Sequence, residues 1–585
     1  MKRIKMTSIF LCAFLAFSSC EKSNPVNDPV TYGASYVLTI HTDKAVYKPG
    51  DEINFTLSQP LAGNIKIRYR HGAETIKEET LNGTTWRWTA PAADFKGYMI
   101  DLYEITDGRE KIHTSVAVDV SSDWSRFPRY GFVASFGKMS TADIGKVIKN
   151  LNRHHINGVQ FQDWHYKHHM PLAGTPEAPL SLYKDIANRD TYASTIKNYI
   201  DAIHGYNMKA IFYNLAYGAL SDGGSDGVGE EWYAFKDKNH TTKDVLNLPR
   251  PMFKSDIYIL NPANTQWQQY IAKRNKDVYA AYAFDGYQID QLGNRGTLYD
   301  YSGNNLDMAG TFKPFIDAMK IAAPDKRLVM NAVTQYGGQP IAQSPVDFLY
   351  SEVWTPNESF KDLAGIIQDN DRWSNNTKKT VLAAYMNYNV ADGKGFFNTP
   401  GVLLMDAVTF AFGASHLELG EHMLGKEYFP NDNLEMKDDL KQAMVRYYDF
   451  LVAYENLLRD GGAFNNPVVS CTNGKLAVNA WPPASGQVAV IGREVSNSQV
   501  LHLVNFTNAN SLNWRDADGT QPAPAVISNA DLDVTVNKPV AKVWIASPDN
   551  GFGVATSLPF RQTGNTVSFT LPSLQYWDMV VVTYK

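Results

Sequence analysis

Residues 284–293 read Phe-Asp-Gly-Tyr-Gln-Ile-Asp-Gln-Leu-Gly, a short apolar run that ends in an acid and a glycine-containing turn. This pattern predicts a buried strand, with Asp290 at the point where the strand becomes a loop. In a barrel of parallel strands, that point faces the mouth where active sites form. Asp285 stands near the opposite end of the same strand, where we expect a structural role.

A second acid occurs in the same setting. Residues 348–354 read Phe-Leu-Tyr-Ser-Glu-Val-Trp, so apolar residues precede Glu352 and an aromatic ring follows it. Glycosidic bond cleavage uses two carboxyl groups, one beside the sugar cation and one that delivers a proton to the leaving oxygen. We therefore predict that Asp290 and Glu352 are catalytic. For both residues the alternative is an acid that only caps the turn after its strand.

The segment 123–460 alternates strand patterns with helical patterns, such as the spacing of Ile144, Ile148 and Leu151. The candidate strands are residues 130–136, 158–163, 209–215, 286–290, 328–332, 348–353, 381–386 and 411–418. Eight strands separated by helices predict a (β/α)8 TIM barrel, within a multidomain chain of α/β and β domains. The alternative is a doubly wound open sheet. It requires a glycine-rich turn after its first strand, and residues 136–138 do not supply one.

A β-sandwich is predicted on each side of the barrel. Residues 35–122 alternate polar and apolar positions between turn signals, which indicates an N-terminal immunoglobulin-like β-sandwich. A spacer role is favoured for it, with carbohydrate binding as the alternative. Residues 461–585 return to short strands between Gly, Asn and Pro turns, which indicates a C-terminal β-sandwich. Residues 217–260, between the third and fourth barrel strands, are expected to form a lid or cleft wall.

The N-terminus has the features of an export signal. Residues 1–20 begin with basic side chains, continue with an apolar run and end in Ser-Ser-Cys, which resembles a bacterial lipobox with Cys20 as the lipidated residue. One alternative is ordinary cleavage of the signal peptide near Cys20. The other is a short anchor helix, although the apolar run is too short to span a bilayer comfortably. Residues 21–34 are predicted to be a tether. We expect an outer-membrane lipoprotein, on either face, held only by its lipid anchor.

Composition limits the partners of the mature chain. Of three cysteines, Cys12 lies in the signal segment and Cys20 is the predicted lipidation site, so only Cys471 remains. No intrachain disulfide and no cysteine-based metal site are therefore expected. The formal charge of -5 gives no electrostatic footprint for nucleic acid, so no nucleic-acid partner is expected. Aromatic residues make up 12% of the chain, which favours a neutral polymer with apolar sugar faces as the partner.

Polar and aromatic residues gather at the predicted strand ends. Amides, carboxylates and histidines bind sugar hydroxyls, and Tyr and Trp rings stack on the apolar face of a pyranose. The predicted substrate-binding residues are Gln162, Asp163, Trp164, His165, Tyr166, Tyr213, Asn214, Tyr217, Gln288, Trp354, Tyr385, Asn387 and Glu418. Asn331 also ends a strand. The alternative for Asp163 is a rim residue that orients Lys167, and Glu418 and Glu421 are spare candidates for the acid.

One group of residues suggests a metal. His165, His168 and His169 occur close together, but a zinc site needs a third ligand and partners that orient the ligands. His168 and His169 are adjacent and would point apart on a strand. Contacts to sugar are therefore favoured over zinc. No acidic cluster has clear calcium spacing, and no cofactor is predicted.

Four segments together resemble family 66 of the glycoside hydrolases. They are residues 126–132, 157–169, 284–293 and 351–354. The family contains endo-dextranases and cycloisomaltooligosaccharide glucanotransferases, and the resemblance covers nearly all of the mature chain. It implies a retaining mechanism on the α-1,6 linkages of dextran, with Asp290 as nucleophile and Glu352 as general acid/base. Such a mechanism requires carboxyl groups about 5–5.5 Å apart and a raised pKa for the acid.

The chain departs from this resemblance at one place. Cyclising members of the family resemble one another in a large carbohydrate-binding insertion after the seventh barrel strand. Here residues 389–395 lead quickly to a helical segment around 402–408, which favours a dextranase. The alternatives are a cycloisomaltooligosaccharide glucanotransferase, a catalytically inactive glycan-binding surface lipoprotein and a hydrolase of α-1,4-glucan.

Overall fold

The computed structural model describes residues 30–32 and 38–585. The predicted signal segment, Cys20 and most of the predicted tether lie outside these residues. Within the described part of the chain, no helix combines the length and the apolar character needed to cross a bilayer.

Eight parallel strands form the centre of the molecule, and neighbours in the sheet are neighbours in the chain. The strands are Tyr130–Val133, Gly158–Phe161, Lys209–Leu215, Gly286–Asp290, Arg327–Asn331, Leu349–Glu352, Thr380–Ala383 and Ser415–His416. The amide of Phe132 donates to the carbonyl oxygen of Leu419 at 3.2 Å, which joins the first strand to the chain just beyond the last. The predicted TIM barrel is confirmed.

A helix follows each strand and covers the outside of the barrel. The helices are Thr141–Arg153, Ala193–Gly205, Thr265–Ala281, Phe312–Ala322, Gly338–Ala342, Phe360–Trp373, Thr399–Ala411 and Asp438–Ala453. The short helix Glu455–Leu458 follows the last of these. The first helix begins after Ser140, whose hydroxyl accepts a hydrogen bond from the amide of Asp143 and so caps the helix.

The eighth strand is shorter than predicted. The sequence pattern predicts a strand over residues 411–418, but Ala411 ends a helix and only Ser415–His416 pairs with the seventh strand. The helix Thr399–Ala411 is buried along almost its whole length, so its own apolar residues lie on all sides of the helix. Its sequence therefore lacks the 3.6-residue period of a helix with one polar face. An apolar run of this kind does not distinguish a buried helix from a buried strand, which explains the misplaced boundary.

Large rings fill the amino-terminal end of the barrel. Tyr130 and Phe348 pack edge to face with ring centroids 5.1 Å apart, and Trp124 lies 5.5 Å from Phe348. Gly158 begins the second strand against the Trp124 ring, where an added Cβ would lie 2.1 Å from a ring carbon. Since these rings close one end of the barrel, space for a ligand remains at the carboxyl ends of the strands.

The N-terminal domain is a sandwich of two sheets, as predicted. The first sheet contains Val30–Tyr32, Lys66–His71, Glu74–Thr80, Lys96–Thr106 and Arg109–Val120. The second contains Ile40–Thr42, Glu52–Leu57 and Thr85–Thr89. Ile40, Ile67 and Ile100 are buried between them. Val30–Tyr32 falls within the predicted tether, yet it pairs in parallel with residues 110–112.

The C-terminal domain is a second sandwich, also as predicted. Its larger sheet contains Ala463–Asn465, Val478–Ala480, Val488–Val495, Ser498–Asn505, Val540–Ala546, Thr556–Ser557 and Trp577–Tyr584. Its smaller sheet contains Val469–Cys471, Ile527–Thr535, Phe560–Thr563 and Thr566–Leu574. The connection 506–526 leaves the sandwich and contacts the carboxyl end of the barrel, where Asn387 donates its amide hydrogen to the carbonyl oxygen of Arg515 at 3.0 Å.

The long unit after the third strand stands beside the barrel mouth. Gly218–Ala219, Val245–Leu246 and Ile257–Ile259 form a small antiparallel sheet. Leu248 and Met252 extend from it over the carboxyl ends of the strands, where they line a cavity. The predicted cleft wall is therefore present.

Candidate active site

A cavity of about 500 Å³ opens at the carboxyl ends of the barrel strands. Its floor and walls include Gln160, Gln162, Asp163, His168, Tyr213, Gln288, Asp290, Asn331, Tyr350, Glu352 and Tyr385. These residues come from six different strands and the loops that follow them, which is the arrangement that TIM-barrel active sites use. Both predicted catalytic acids are therefore in one cavity.

Asp290 is the last residue of the fourth strand, and its carboxylate is partly exposed to the cavity. The Tyr213 hydroxyl donates to Asp290 Oδ2 at 2.6 Å, and Asn331 Nδ2 donates to Oδ1 at 2.9 Å. Burial raises the pKa of Asp290 above its ordinary value, whereas these two hydrogen bonds act to lower it. Two neutral donors thus fix the orientation of the carboxylate without neutralising its charge.

Glu352 ends the sixth strand and faces the same cavity. The Tyr385 hydroxyl donates to Oε1 at 2.8 Å, and Asn331 Nδ2 donates to Oε2 at 2.9 Å. Burial, and secondly the charge of Asp290, raise the pKa of Glu352 to about 7. Near neutral pH this carboxyl group is therefore poised to give up or accept a proton.

Asn331 connects the two acids. Its Nδ2 lies 2.9 Å from Asp290 Oδ1 and 2.9 Å from Glu352 Oε2, so these oxygens are separated by no more than twice that distance, about 5.8 Å. Its Oδ1 also accepts a hydrogen bond from the amide of Glu352 at 3.2 Å. The sequence places Asn331 at a strand end but gives no sign that it bridges the acids. Two carboxyl groups at this separation can act on one carbon held between them, one by transferring a proton to its leaving atom and the other by attacking it.

Five of the predicted substrate-binding residues line the cavity. They are Gln162, Asp163, Tyr213, Gln288 and Tyr385. Asp163 adopts a left-handed backbone with φ of 52°, and burial raises its pKa to about 6. It does not orient Lys167, whose ammonium instead binds Asp222 and Asp226 at 2.7 and 2.6 Å.

Four predicted ligands are buried behind the cavity wall. Trp164, His165, Asn214 and Tyr217 do not line the cavity. The indole of Trp164 donates to the Tyr213 carbonyl at 3.2 Å, and the Tyr217 hydroxyl accepts from the Leu292 amide at 2.7 Å. Adjacent strand residues face opposite sides of a sheet, so Asn214 points outward where Tyr213 points inward. These residues support the wall and lack direct access to a sugar.

The other four predicted ligands also lie outside the cavity lining. Tyr166 is half-buried beneath the Lys254 ammonium, which lies 4.1 Å from its ring centroid. Asn387 is fully buried and donates to the Asp516 carbonyl at 2.7 Å. Glu418 is fully buried and accepts from the Tyr448 hydroxyl at 3.0 Å.

Trp354 is half-buried near Glu352, and its ring centroid lies 5.4 Å from that of Tyr385. The spare acid Glu421 accepts hydrogen bonds from the amides of Ala134 and Ser135 and from the Tyr199 hydroxyl, so its carboxylate secures the first strand.

Sequence patterns missed several cavity residues. Gln160 and Tyr350 form part of the floor, Met252 and Phe253 come from the long unit after the third strand, and Tyr428 lies in the loop after the eighth. Gln160 and Tyr350 could have been found, because each lies two residues before a predicted site residue and therefore on the same face of its strand. The loop residues have no such period.

Two groups of side chains among the described residues have the ligand spacing of a metal site. His169, Asp222 and Asp226 form one, but the Lys167 ammonium already binds both carboxylates. Asp406, His416 and Glu418 form the other, which is fully buried and does not line the cavity. The predicted histidine group is divided: His165 and His168 contact each other at 2.9 Å, whereas His169 binds Asp226 at 2.8 Å.

Known proteins of similar sequence are carbohydrate-active enzymes. The chain is 28% identical to a cycloisomaltooligosaccharide glucanotransferase of Niallia circulans, over 99% of this chain and 75% of that protein. It is 24% identical to a dextranase of Streptococcus salivarius, over 83% of this chain and 67% of that protein.

A solved structure has the same fold. The cycloisomaltooligosaccharide glucanotransferase of Paenibacillus sp., complexed with cycloisomaltoheptaose, superposes with a TM-score of 0.86 and 26% identity, over 94% of this chain and 100% of that one. The model of glycosyl hydrolase family 66 matches residues 42–581. The match includes most of both sandwiches, the whole barrel and the two acids in the barrel cavity. The chain therefore belongs to glycosyl hydrolase family 66 and is a glycoside hydrolase.

Proposed function

We propose that this protein is a retaining endo-hydrolase that cleaves α-1,6-glucosidic linkages of dextran and releases isomaltooligosaccharides. One observation carries the proposal: Asp290 and Glu352 share the side-chain amide of Asn331. This limits the distance between Asp290 Oδ1 and Glu352 Oε2 to about 5.8 Å. Retaining glycosidases separate their carboxyl groups by about 5–5.5 Å, whereas inverting enzymes need roughly 6.5–9.5 Å to admit a water molecule.

The first step forms a glycosyl ester. An oxygen of Asp290 attacks the anomeric carbon, and the bond from that carbon to the glycosidic oxygen breaks. The proton of Glu352 moves to the departing oxygen, which leaves as the hydroxyl of the released chain. The pKa of Glu352, raised to about 7 by burial and then by Asp290, keeps enough of the acid protonated near neutral pH.

The second step consumes water. Glu352, now ionised, takes a proton from a water molecule whose oxygen bonds to the anomeric carbon. The ester bond breaks, Asp290 regains its charge, and the configuration at that carbon is restored. Ester formation removes the charge of Asp290, so the pKa of Glu352 falls between the two steps and the same group can act as a base.

The short connection between the seventh barrel strand and the next barrel helix favours hydrolysis over cyclisation. The seventh strand ends at Ala383, and the next barrel helix begins at Thr399 after a small strand at Gly395–Phe396. The alignment with the Niallia circulans glucanotransferase runs over 736 positions, at least 151 more than the 585 residues of this chain. That relative therefore contains inserted segments that this chain lacks.

Cyclising transglycosylation is the second candidate function. It is favoured by the solved glucanotransferase complex, which superposes on 94% of this chain. In that reaction the far end of the bound glucan, instead of water, attacks the glycosyl ester, and the bonds made and broken are otherwise the same.

Incubation with dextran tests the proposal. We expect linear isomaltooligosaccharides from the wild type and from Asp285→Asn, a matched change of an acid beside the same strand. Asp290→Ala and Glu352→Ala should lose nearly all activity. Predominantly cyclic products would replace the proposal with the second candidate. Cleavage of starch in preference to dextran would assign α-1,4 linkages, and a folded protein without turnover on either polymer would leave a glycan-binding role.

We also propose that Cys20 carries a lipid anchor that holds the exported protein at the outer membrane. The Ser-Ser-Cys sequence after the apolar run supports this proposal. We expect the full-length protein to fractionate with membranes and Cys20→Ser to leave that fraction. Cys12→Ser, within the apolar run, is the matched control and should stay membrane-bound. Membrane retention of Cys20→Ser would contradict the proposal.

A further inference from the structure

A loop of the C-terminal sandwich lies on the catalytic end of the barrel. The Trp514 amide donates to the Glu358 carbonyl at 3.0 Å, and its indole donates to the Asn357 carbonyl at 2.8 Å. The Asn389 side chain donates to Asp518 Oδ1 at 2.8 Å. These contacts fix the loop to the segments that follow the sixth and seventh barrel strands. The sixth strand ends at Glu352, and Tyr385 lies in the segment after the seventh.

Arg515 lies at the centre of this loop and joins the two strand ends. Its Nη2 donates to the Val353 carbonyl at 2.9 Å, and its Nη1 donates to the Tyr385 carbonyl at 3.1 Å. The guanidinium also lies 5.0 Å from the Trp354 ring centroid and 5.3 Å from that of Tyr388. It also lies 4.5 Å from the ring centroid of Trp514, so one planar group binds two backbone carbonyls and contacts three aromatic rings.

Both carbonyls belong to the surroundings of the proposed acid/base. Val353 directly follows Glu352 in the chain, and the Tyr385 hydroxyl donates to Glu352 Oε1 at 2.8 Å. Burial and Asp290 raise the pKa of Glu352, whereas the side chains of Asn331, Tyr385 and Trp354 act to lower it. Two of these three residues, Tyr385 and Trp354, are in direct contact with Arg515.

We propose that Arg515 is a positioning residue for Glu352, so that the C-terminal domain completes the catalytic centre of the barrel. Arg515 does not line the cavity, and it acts through the placement of Tyr385 and Trp354. This inference rests on the proposed function, because it takes Glu352 to be the general acid/base.

The geometry requires an arginine. A guanidinium offers several N–H groups in one plane, which allows it to donate to two carbonyls while its face stacks on a ring. A lysine ammonium supplies charge at a single point and cannot reproduce this arrangement. Docking of the loop does not depend on Arg515 alone, since Trp514 and Asp518 make their own contacts with the barrel. The positioning role is therefore separable from domain attachment.

The test compares Arg515→Met and Arg515→Lys with the wild type on two substrates. The first is dextran, whose leaving oxygen needs a proton. The second is an α-glycosyl fluoride of an isomaltooligosaccharide, whose fluoride leaves without general-acid assistance. Displacement of a catalytic group by about 1 Å costs on the order of 10²-fold in rate. We expect Arg515→Met to lower kcat/KM on dextran by about this factor and to change kcat/KM on the fluoride far less.

The pH profile supplies a second readout. Loss of the Tyr385 hydrogen bond to the Glu352 carboxylate favours its protonated form, so the pKa of Glu352 rises further. We expect the basic limb of kcat/KM to move to higher pH in Arg515→Met, with partial recovery in Arg515→Lys. Asp518→Ala, which removes a contact of the same loop away from the acid, should keep the wild-type profile.

Each outcome distinguishes the inference from the proposed function. Equal losses on both substrates with an unmoved pH profile would show a purely structural role for Arg515 and overturn the inference. Wild-type behaviour of folded Arg515→Met would overturn it as well. If Glu352→Ala retained full activity on dextran, the proposed function itself would fail. Thermal unfolding of every variant checks that the domains remain folded.

Discussion

Asp285 and Asp290 stand at opposite ends of the fourth barrel strand and have opposite electrostatic surroundings. Asp285 contacts His204 at 2.9 Å and Lys209 at 3.1 Å, whereas Asp290 accepts hydrogen bonds from the neutral side chains of Tyr213 and Asn331.

Burial acts to raise both pKa values. For Asp285 it is outweighed by the His204 hydrogen bond and the Lys209 charge, so its pKa is lowered, while that of Asp290 is raised. The same residue type thus serves as an anchor where a lysine ammonium and an imidazole bind it. It remains a charge without a bound cation where neutral donors and other acids surround it.

The largest expected effect comes from Asp290→Asn. The amide keeps the shape of the side chain but cannot form the glycosyl ester, so kcat on dextran should fall on the order of 10⁴-fold or more. Removing a poorly solvated charge should leave the thermal unfolding temperature unchanged or raised. Steady-state kinetics and calorimetry measure both effects. Substantial activity in a pure preparation would contradict the nucleophile role.

Asn331→Ala should have the next largest effect. Both acids lose the donor that they share, and loss of one preorganised donor costs about 10²–10³-fold in kcat. The pKa of Glu352 should also rise, because Asn331 acts to lower it against the effect of burial. Measured pH profiles of kcat/KM check the direction of this shift. A basic limb that moved to lower pH would contradict the bridging role.

The change of wild-type kcat/KM with pH should be smaller than the effects of these two substitutions. Glu352 donates a proton in the first step, so kcat/KM should fall above its pKa of about 7 and approach a tenfold loss per pH unit. The acid limb should lie above the ordinary pKa of aspartic acid, because Asp290 must be ionised and burial raises its pKa. Initial rates on dextran from pH 4 to 9 test both limbs. A constant rate between pH 6 and 9 would contradict the assignment of Glu352.

Asp285→Asn should have the smallest effect on activity, less than about twofold, because Asp285 does not line the cavity. The substitution should lower the free energy of unfolding by about 1–2 kcal/mol, because charge-assisted hydrogen bonds are lost. The folded-state pKa of Asp285 is lowered, so its contribution is fully present above the unfolded pKa of about 3.9. It is lost as pH falls through the folded-state pKa. Chemical denaturation of the wild type and the variant at pH 7 and pH 3 measures the loss of unfolding free energy at each pH. Equal losses at both pH values would contradict the lowered pKa of Asp285.

The sequence predicts the parts of this fold that have a clear period. Strand patterns located the eight strands and the acids that end two of them, and turn signals located both sandwiches. The eighth strand was misplaced because the helix Thr399–Ala411 is buried almost throughout and has no polar face. Local patterns of this kind do not fix the orientation of a buried helix or strand.

The site was predicted less completely than the fold. Position in the chain puts Tyr213 and Asn214 at the same strand end, but only Tyr213 lines the cavity. Met252 and Tyr428 come from loops, where no period links sequence to orientation. Arg515 comes from another domain, and its contacts with Val353 and Tyr385 depend on tertiary packing alone. Such contacts have no local sequence signal.

Trapping the glycosyl ester tests the proposed nucleophile role of Asp290 most directly. A fluorinated glycosyl fluoride that forms the ester quickly and hydrolyses slowly would be incubated with the protein, which is then digested and examined by mass spectrometry. We expect one added glycosyl group on the peptide that contains Asp290 and none on the peptide that contains Asp285. A label on another residue, or full turnover without any covalent adduct, would contradict it.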